Sequence, residues 1–195
     1  MEPSVEDMVR ELYDRQKIRD VVTNYCRGVD RMDRALLLSC YHPDAIDDHG
    51  FFVGGPEAFW EWVNHYHNNA QAGHQHIITN HSCDLDGDVA HTETYWMFAG
   101  MDAKDYSFSI GGGRYIDRME KRDGVWRIAA RKCVSEWGGV PAQSKVPAEF
   151  MSMLRESGVV ARDNSDSSYE RPLTVPTERI GINIDILPKG YAPHA

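Results

Sequence analysis

Three histidines lie within nine residues of this chain, in the stretch "HQHIITNHS" at positions 74–82, and a fourth follows at His91. Imidazole can bind a transition metal or transfer a proton near neutral pH, so such a cluster indicates a metal site or a catalytic base. The third interpretation is a polar strand whose histidines do no chemistry. The direction of each side chain decides between the three.

The residues around the cluster alternate with a period of two, which predicts a β-hairpin. Segments 75–84 and 88–98 flank an Asp86-Gly87 pair, which is typical of a two-residue turn. With that pair in the turn, one face of the hairpin carries residues from both strands: His74, His76, Ile78, Asn80, Ser82, His91, Glu93, Tyr95 and Met97.

This register argues against a zinc site. His76 and His91 share a face but lie roughly 20 Å apart along the ladder, whereas zinc ligands lie about 2 Å from the ion. His81 points to the other face. His74 and His76 resemble half of a His-x-His metal pair, yet Glu93, the nearest carboxylate on that face, is several residues away. We therefore expect no metal ligand set here.

A partner for His76 is available at the end of the first helix. Residues 5–29 carry apolar side chains at three- and four-residue steps, and "YCRGVD" ends the helix at Asp30. A carboxylate in that apolar turn needs a partner, because an unpaired buried charge is very costly. Paired with His76 it would form a general base, since the carboxylate fixes the imidazole tautomer. The alternative is that Asp30 only caps the next helix.

Two more helices follow before the period changes. A short one begins after Asp33 and stops before Pro43. A third has Pro56 in its first turn and ends before Gly73.

A second predicted hairpin completes the domain. Residues 106–120 and 125–137 flank a turn at Asp123-Gly124. Helices followed by long antiparallel strands predict an α+β domain, in which a curved antiparallel sheet wraps the N-terminal helices over residues 1–139.

Residues 140–195 are expected to form a C-terminal extension. "PAEFMSMLRESG" predicts one short helix, residues 161–172 are polar and rich in turn formers, and alternating isoleucines near the end predict an extended segment.

Composition excludes several classes of function. A formal charge of −9 argues against binding nucleic acid or an anionic membrane surface, which need a basic footprint. No apolar run is long enough to span a bilayer, and the acidic start "MEPSVEDMVRELYD" does not resemble a signal peptide. Four widely spaced cysteines are typical of reduced thiols in a cytoplasmic protein.

The motifs "YCRGVD", "HIITN" and "IGGGRYIDRMEKRDGVWRIAARK" together resemble the SnoaL-like branch of the nuclear-transport-factor-2-like (NTF2-like) superfamily, over about residues 8–138. Its members include hexachlorocyclohexane dehydrochlorinase, scytalone dehydratase and bile-acid 7α-dehydratase. The resemblance implies a cone-shaped α+β fold whose interior pocket runs an elimination with no metal or organic cofactor. It also implies a homodimer or homotrimer.

The resemblance also assigns the site. The family's Asp–His dyad falls on Asp30 and His76, and the pocket arginine of the dehydrochlorinase falls on Arg131. The dehydrochlorinase has a lysine where this chain has Tyr25. A phenol cannot hold a leaving halide as a cation does, but it can protonate a leaving hydroxyl. This change favours loss of water over loss of halide.

The expected substrate is a hydrophobic aromatic or polycyclic small molecule. The predicted register makes Tyr95 a second phenol donor and places Met97 opposite His76. Aromatic residues of the third helix and the segment before it would form the walls: Phe51, Phe52, Phe59, Trp60, Trp62 and Tyr66.

Three classes of function stay open. The first is a cofactor-free lyase, by dehydration or by carbon–carbon cleavage with release of formaldehyde. The second is an isomerase like the related steroid isomerases, which need no histidine base, so His76 favours the lyase. The third is a non-catalytic ligand-binding or assembly module. A buried polar dyad without a function would be costly, which counts against this third class.

Overall fold

The computed structural model describes residues 3–141 and 158–175. The chain divides between Ala142 and Gln143 into two units, each treated separately below. None of the described helices is long and apolar enough to cross a membrane. The first unit is built from these elements: α1 (Val5–Asp30), α2 (Arg34–Ser39), β1 (Tyr41–Asp48), β2 (Val53–Gly54), α3 (Pro56–Ala70), β3 (Gln71–Asp86), β4 (Val89–Asp102), β5 (Phe108–Arg122) and β6 (Val125–Gly139).

Helix α1 begins and ends where the sequence predicts. Ser4 and Asp7 form a capping box, in which each side chain accepts a hydrogen bond from the other residue's backbone N–H, both at 3.2 Å. The second half of the helix buries one face in the core, with Ile18, Val22 and Val29 almost fully covered.

Gly28 allows α2 to approach the last turn of α1. A Cβ at this position would lie 2.8 Å from the backbone nitrogen of Leu37, closer than atoms can pack. Helix α2 itself begins at the predicted cap, because the Asp33 carboxylate accepts the backbone N–H of Leu36 at 3.0 Å. This close contact fixes the end of α1, and with it the position of Asp30.

The six strands form one sheet in the order β2-β1-β6-β5-β4-β3. The predicted α+β fold with a curved, open sheet is confirmed, but the sheet is mixed because β1 pairs in parallel with β6. No strand was predicted over 41–48, since His42, Pro43 and Asp44 interrupt any apolar alternation. Strand β1 is positioned by tertiary pairing with β6.

The second hairpin turns where predicted, whereas the register predicted for the first is wrong. Asp123 and Gly124 both have positive φ, 52° and 78°, as a two-residue turn with the twist of the sheet requires. In the first hairpin Asp86 pairs with Val89, so the turn lies one residue later than predicted. A further irregularity between Ile78 and His81 shifts the pairing again.

This register changes which β4 residues face the helices. His76 lies opposite Phe98 instead of Met97. Tyr95 and Met97 lie on the outer face, each 40% exposed, so their predicted orientation toward His76 is wrong. His81 was predicted on the other face from His76 but lies on the inner one, beside the buried Thr94.

The outer face carries exposed apolar side chains that a homodimer or homotrimer interface would cover, among them Ile77, Tyr95, Met97 and Ile116. The assembly itself stays a prediction.

The core packs between the helices and the inner face of the sheet. It includes Tyr25, Phe59 and Tyr115. Near the other end of α1, the buried Asp14 carboxylate accepts hydrogen bonds from Trp126 Nε1 at 2.8 Å and Lys121 Nζ at 3.1 Å. These bonds attach the tip of the second hairpin to the helix.

The second unit is described over residues 158–175. Its one described helix is a 3₁₀ turn, Ser167–Tyr169, whose cap Asp166 accepts the backbone N–H of Ser168. The short helix and the isoleucine-rich segment predicted for the extension fall almost wholly in 142–157 and 176–195, outside the described residues. The predicted domain boundary after residue 139 stays a prediction.

Candidate active site

A cavity of about 510 Å³ opens between α1, α3 and the inner face of the sheet. Among the described residues that line it there is no Asp, Glu, Lys or Arg. Three histidines and the hydroxyls of serine and tyrosine supply its polar groups. Its walls are mainly aromatic: Tyr25, Phe51, Trp62, Tyr66, Trp96, Phe98, Tyr115 and Trp137. We call this space the aromatic cavity.

Asp30 and His76 are in contact at the edge of this cavity. His76 Nδ1 lies 2.7 Å from Asp30 Oδ1, and the backbone N–H of His76 donates to Asp30 Oδ2 at 2.9 Å. The carboxylate therefore holds both the main chain and the ring of the histidine. Among residues 3–141, no side chain bonds the other ring nitrogen, Nε2, and His76 lines the cavity.

The position of Asp30 explains why it needs this partner. It is the last residue of α1, where the helix dipole is negative and disfavours another negative charge. The side chain is also mostly buried. If the bonded histidine takes up a proton, the carboxylate lies beside the positive charge that forms, which is the arrangement of a general base.

Tyr25 reaches the same cavity from α1. Its hydroxyl lies 3.2 Å from His49 Nε2, and its ring packs against Phe59 and Tyr115 with centroids 6.0 and 5.5 Å away. Burial raises the pKa of Tyr25 well above its usual value, and the nearby Asp47 carboxylate adds to the increase. The phenol therefore stays protonated and can donate its hydrogen.

Arg131 lies behind Tyr25 and not on the cavity wall. Its guanidinium makes two hydrogen bonds of 2.7 Å to Asp117, and both side chains are fully buried. The rings of Tyr25 and Tyr115 cover it at 4.1 and 4.2 Å. Burial alone would lower the pKa of Arg131, but the attraction of Asp117 raises it well above its usual value.

Only some of the aromatic and substrate-binding residues predicted from the sequence line the cavity. Tyr95 and Met97 point outward, for the register reason given above. Phe52 and Trp60 pack against the core cluster and do not line the cavity. Three predicted wall residues do line it, namely Phe51, Trp62 and Tyr66, and β4 contributes Trp96 and Phe98, which were not predicted.

Two glycines of the "IGGG" motif make room for the tryptophans of the cavity. A Cβ on Gly112 would lie 2.2 Å from the ring of Trp137, and one on Gly113 would lie 1.9 Å from the backbone oxygen of Val134 and 2.9 Å from the ring of Trp96. Both rings line the cavity. The absence of side chains at these positions therefore shapes its wall.

Two further histidines, His67 and His74, lie beside Asp30 and His76, and the sequence analysis assigned neither of them a role in the site. His67 and His74 stack with ring centroids 3.9 Å apart, and His67 Nδ1 bonds Gln71 Oε1 at 2.5 Å. His74 Nε2 lies 3.6 Å from Asp30 Oδ1. The His-x-His spacing of 74 and 76 was the sequence signal for this proximity, because alternate residues share a strand face.

Asp30, His74 and His76 are also the described residues that could hold a metal ion. One ligand atom from each lies within 4.8 Å of the others. A metal there would compete with the Asp30–His76 hydrogen bond, since Nδ1 of His76 cannot donate to Asp30 and bind a cation together.

A second Asp–His pair, Asp47 and His49, was also missed. His49 lines the cavity, and its Nδ1 bonds the buried carboxylate of Asp47. The signal in the sequence was "DDHG", which falls where no strand was predicted.

Comparisons with solved structures show the same fold. A hexachlorocyclohexane dehydrochlorinase, LinA type 2, superposes with a TM-score of 0.66 at 21% identity, covering 72% of this chain and 97% of the other. LinA type 3 from Novosphingobium barchaimii gives 0.65 at 22% identity, covering 71% and 98%. A protein of Novosphingobium aromaticivorans provisionally named scytalone dehydratase gives 0.62 at 18% identity, covering 69% and 91%.

No curated protein sequence matches the chain at a significant level. The family model for the SnoaL-like domain, however, matches residues 10–132, which include every residue of both Asp–His pairs. The chain therefore belongs to the SnoaL-like family, within the NTF2-like fold.

Proposed function

We propose that this protein is a cofactor-independent lyase that removes water from a hydrophobic aromatic or polycyclic molecule. The observation that carries the proposal is the Asp30–His76 contact, with His76 Nε2 available beside an aromatic cavity. Membership of a family with dehydrochlorinase-like and dehydratase-like structural neighbours supports elimination as the class of reaction.

His76 acts as the base in this reaction. Its Nε2 takes a proton from a carbon of the substrate, and the imidazolium that forms is stabilised by Asp30. The electron pair of that C–H bond forms the double bond, and the hydroxyl on the neighbouring carbon leaves. Tyr25 donates its proton to the departing oxygen, so that water is released.

The cavity lining favours a neutral aromatic substrate. Aromatic side chains offer stacking surfaces, and no formally charged side chain among the described residues would pair with an ionic group. The mostly buried position of both side chains also strengthens the attraction between Asp30 and the imidazolium during the reaction.

Arg131 supports the acid instead of contacting the substrate. Its guanidinium lies against the ring of Tyr25 and its charge opposes the rise in the pKa of that phenol. We therefore assign Arg131 the role of a positioning residue, a change from the direct charge stabilisation expected from the family resemblance.

The test uses a 1,2-diarylpropane-1,3-diol as the probe, with absorbance to follow the new conjugated double bond. Asp30→Asn and His76→Gln should each reduce turnover by about 10²–10⁴-fold, the usual contribution of a general base. His91→Gln, an exposed histidine on the neighbouring strand, is the matched control and should turn over normally.

Mass spectrometry separates the related outcomes. Loss of water alone supports dehydration, whereas loss of water together with formaldehyde would shift the assignment to carbon–carbon cleavage. No product from the diol, with a moved double bond at unchanged mass in a β,γ-unsaturated ketosteroid, would indicate an isomerase. Normal turnover in either dyad variant would disprove the role of the dyad.

A further inference from the structure

The Asp47–His49 pair is built as a proton-transfer unit. Asp47 is almost fully buried at the end of β1. One of its oxygens bonds His49 Nδ1, and the other accepts the hydroxyl hydrogen of Tyr41. With Nδ1 held in this way, the ring of His49 presents Nε2 as the nitrogen that can gain or lose a proton.

His49 Nε2 points to the acid of the proposed reaction. It lies 3.2 Å from the hydroxyl of Tyr25, within hydrogen-bonding distance. Asp47, His49 and Tyr25 therefore form a continuous chain of hydrogen-bonded groups that ends at the Tyr25 oxygen. His49 also lines the aromatic cavity, where its ring packs on Phe59 at 4.9 Å.

The backbone around His49 fixes its position. Its N–H donates to the carbonyl of Phe52 at 2.8 Å, and its carbonyl accepts the N–H of Phe51 at 2.9 Å. Gly50 has a φ of 77°, which lets the chain reverse between β1 and β2. A histidine on so tight a turn has little freedom to leave Tyr25.

The Asp47 carboxylate gives His49 a fixed partner. Asp47 is buried, and among the described residues its ion-pair partner is His49. When His49 carries both ring protons, Nδ1–H stays bonded to Asp47 and Nε2–H is the proton that can pass to the Tyr25 oxygen.

We propose that His49, held by Asp47, is the proton source that restores Tyr25 during elimination, so that the aromatic cavity contains an acid pair and a base pair. This inference rests on the proposed lyase function and adds the identity of the proton donor to it.

The step begins with His49 protonated and His76 neutral. His76 takes the proton from the substrate carbon, and the C–O bond breaks with its electrons on oxygen. The Tyr25 hydroxyl protonates that oxygen to give water, and His49 Nε2 protonates the Tyr25 phenolate. The cycle ends with His76 protonated and His49 neutral, and exchange with solvent returns one proton from the first to the second.

Two probes with different leaving groups test this role. They are a 1,2-diarylpropan-1-ol and its 1-chloro analogue, since loss of hydroxide needs an acid whereas loss of chloride does not. His49→Gln should reduce elimination from the alcohol by about 10²-fold or more and change elimination from the chloride little. His76→Gln should reduce both, because both reactions need the base. His65→Gln, an exposed histidine of α3 that does not line the cavity, is the control.

The outcomes separate the two hypotheses. Equal effects of His49→Gln on alcohol and chloride, or no effect on either, would overturn the role of His49 while leaving the base intact. If the unmodified protein eliminated neither probe, the lyase proposal and the relay would both be rejected.

A spectroscopic test covers the case in which His49→Gln does not fold. In ¹⁵N-histidine-labelled protein, Tyr25→Phe should move the Nε2 resonance of His49 and leave that of His65 unchanged. An unmoved His49 resonance would show that the Tyr25 contact is absent and would overturn the relay.

Discussion

Asp117–Arg131 and Asp30–His76 each pair a carboxylate with a basic side chain in the same unit, but they differ in access to the cavity. The side chains of the first pair are 0% exposed, and both oxygens of Asp117 bond Arg131. Those of the second are 12% and 11% exposed, and among the described residues nothing bonds His76 Nε2. We call Asp117–Arg131 the closed pair, because neither side chain is exposed, and Asp30–His76 the open pair, because His76 lines the cavity.

The difference shows that the type of basic side chain decides the role of a buried carboxylate. Arginine has no acceptor and keeps its proton in proteins, so a guanidinium bonded to a buried carboxylate can only attract and position its neighbours. Arg131 does this for the rings of Tyr25 and Tyr115. Histidine can exchange a proton through its second nitrogen, provided that this nitrogen faces a space that a substrate can enter.

Breaking the closed pair should give the largest effect on stability. Arg131→Met leaves the Asp117 carboxylate buried without its partner, and loss of one member of such a pair costs about 3–5 kcal/mol of unfolding free energy. Urea denaturation followed by tryptophan fluorescence measures this loss.

Two variants complete that comparison. Asp30→Asn should move the urea midpoint much less than Arg131→Met, since the asparagine amide can still hydrogen-bond His76 and imidazole, unlike guanidinium, can be neutral. Arg114→Met removes a surface arginine bonded to Glu93 and Glu136 and should leave the urea midpoint unchanged. If Arg131→Met unfolded at the same urea concentration as these two, the closed pair would not be a structural one.

Zinc should bind the open pair and inhibit the protein. His74 supplies a third ligand atom near Asp30 and His76, and a bound ion would draw His76 away from the carboxylate that orients it. We expect turnover to fall with added Zn²⁺ and to return with EDTA. His74→Gln should weaken zinc binding by roughly 10-fold or more. Inhibition that was equally strong in His74→Gln would place the ion elsewhere.

The smallest expected effect is on the pH dependence of stability. Burial lowers the pKa of His81, the positive charge of Arg19 adds to this, and Asp117 opposes it. The unfolded chain therefore takes up a proton below a pH of about 6.5 that the folded chain takes up only at lower pH. Stability is complete above that pH and falls on acidification toward the folded pKa of His81.

The measurement is the urea midpoint at a pH of about 7.5 and of about 5.5. His81→Gln should show a smaller decrease between the two than the unmodified protein, and the exposed His65→Gln should show the same decrease as the unmodified protein. A larger decrease in His81→Gln would contradict the assigned sign. Arg131 keeps its charge over this range, so the closed pair contributes nothing to it.

The sequence pointed to the Asp30–His76 pair and missed the Asp47–His49 pair. Asp30 was noted because it ends an amphipathic helix and His76 because it lies near the start of a strand of alternating residues, and the family resemblance assigned the two as a pair. Asp47 and His49 were missed because β1 carries no apolar alternation and forms only by pairing with β6. The predicted orientation of Tyr95 and Met97 was wrong for a related reason. A shift of one residue in strand pairing moves every side chain of a strand to the other face of the sheet.

The sequence alone determined the helices, the two hairpins, the family and the Asp30–His76 partnership, because each depends on contacts close along the chain or on a shared motif. Only the tertiary structure decided that Arg131 is closed off by Asp117, that Trp96 and Phe98 line the cavity, and that Tyr25 meets His49. These arrangements depend on the register between neighbouring strands and on the packing of helices against the sheet. Strand register and helix packing are both determined by interactions between residues far apart in the chain.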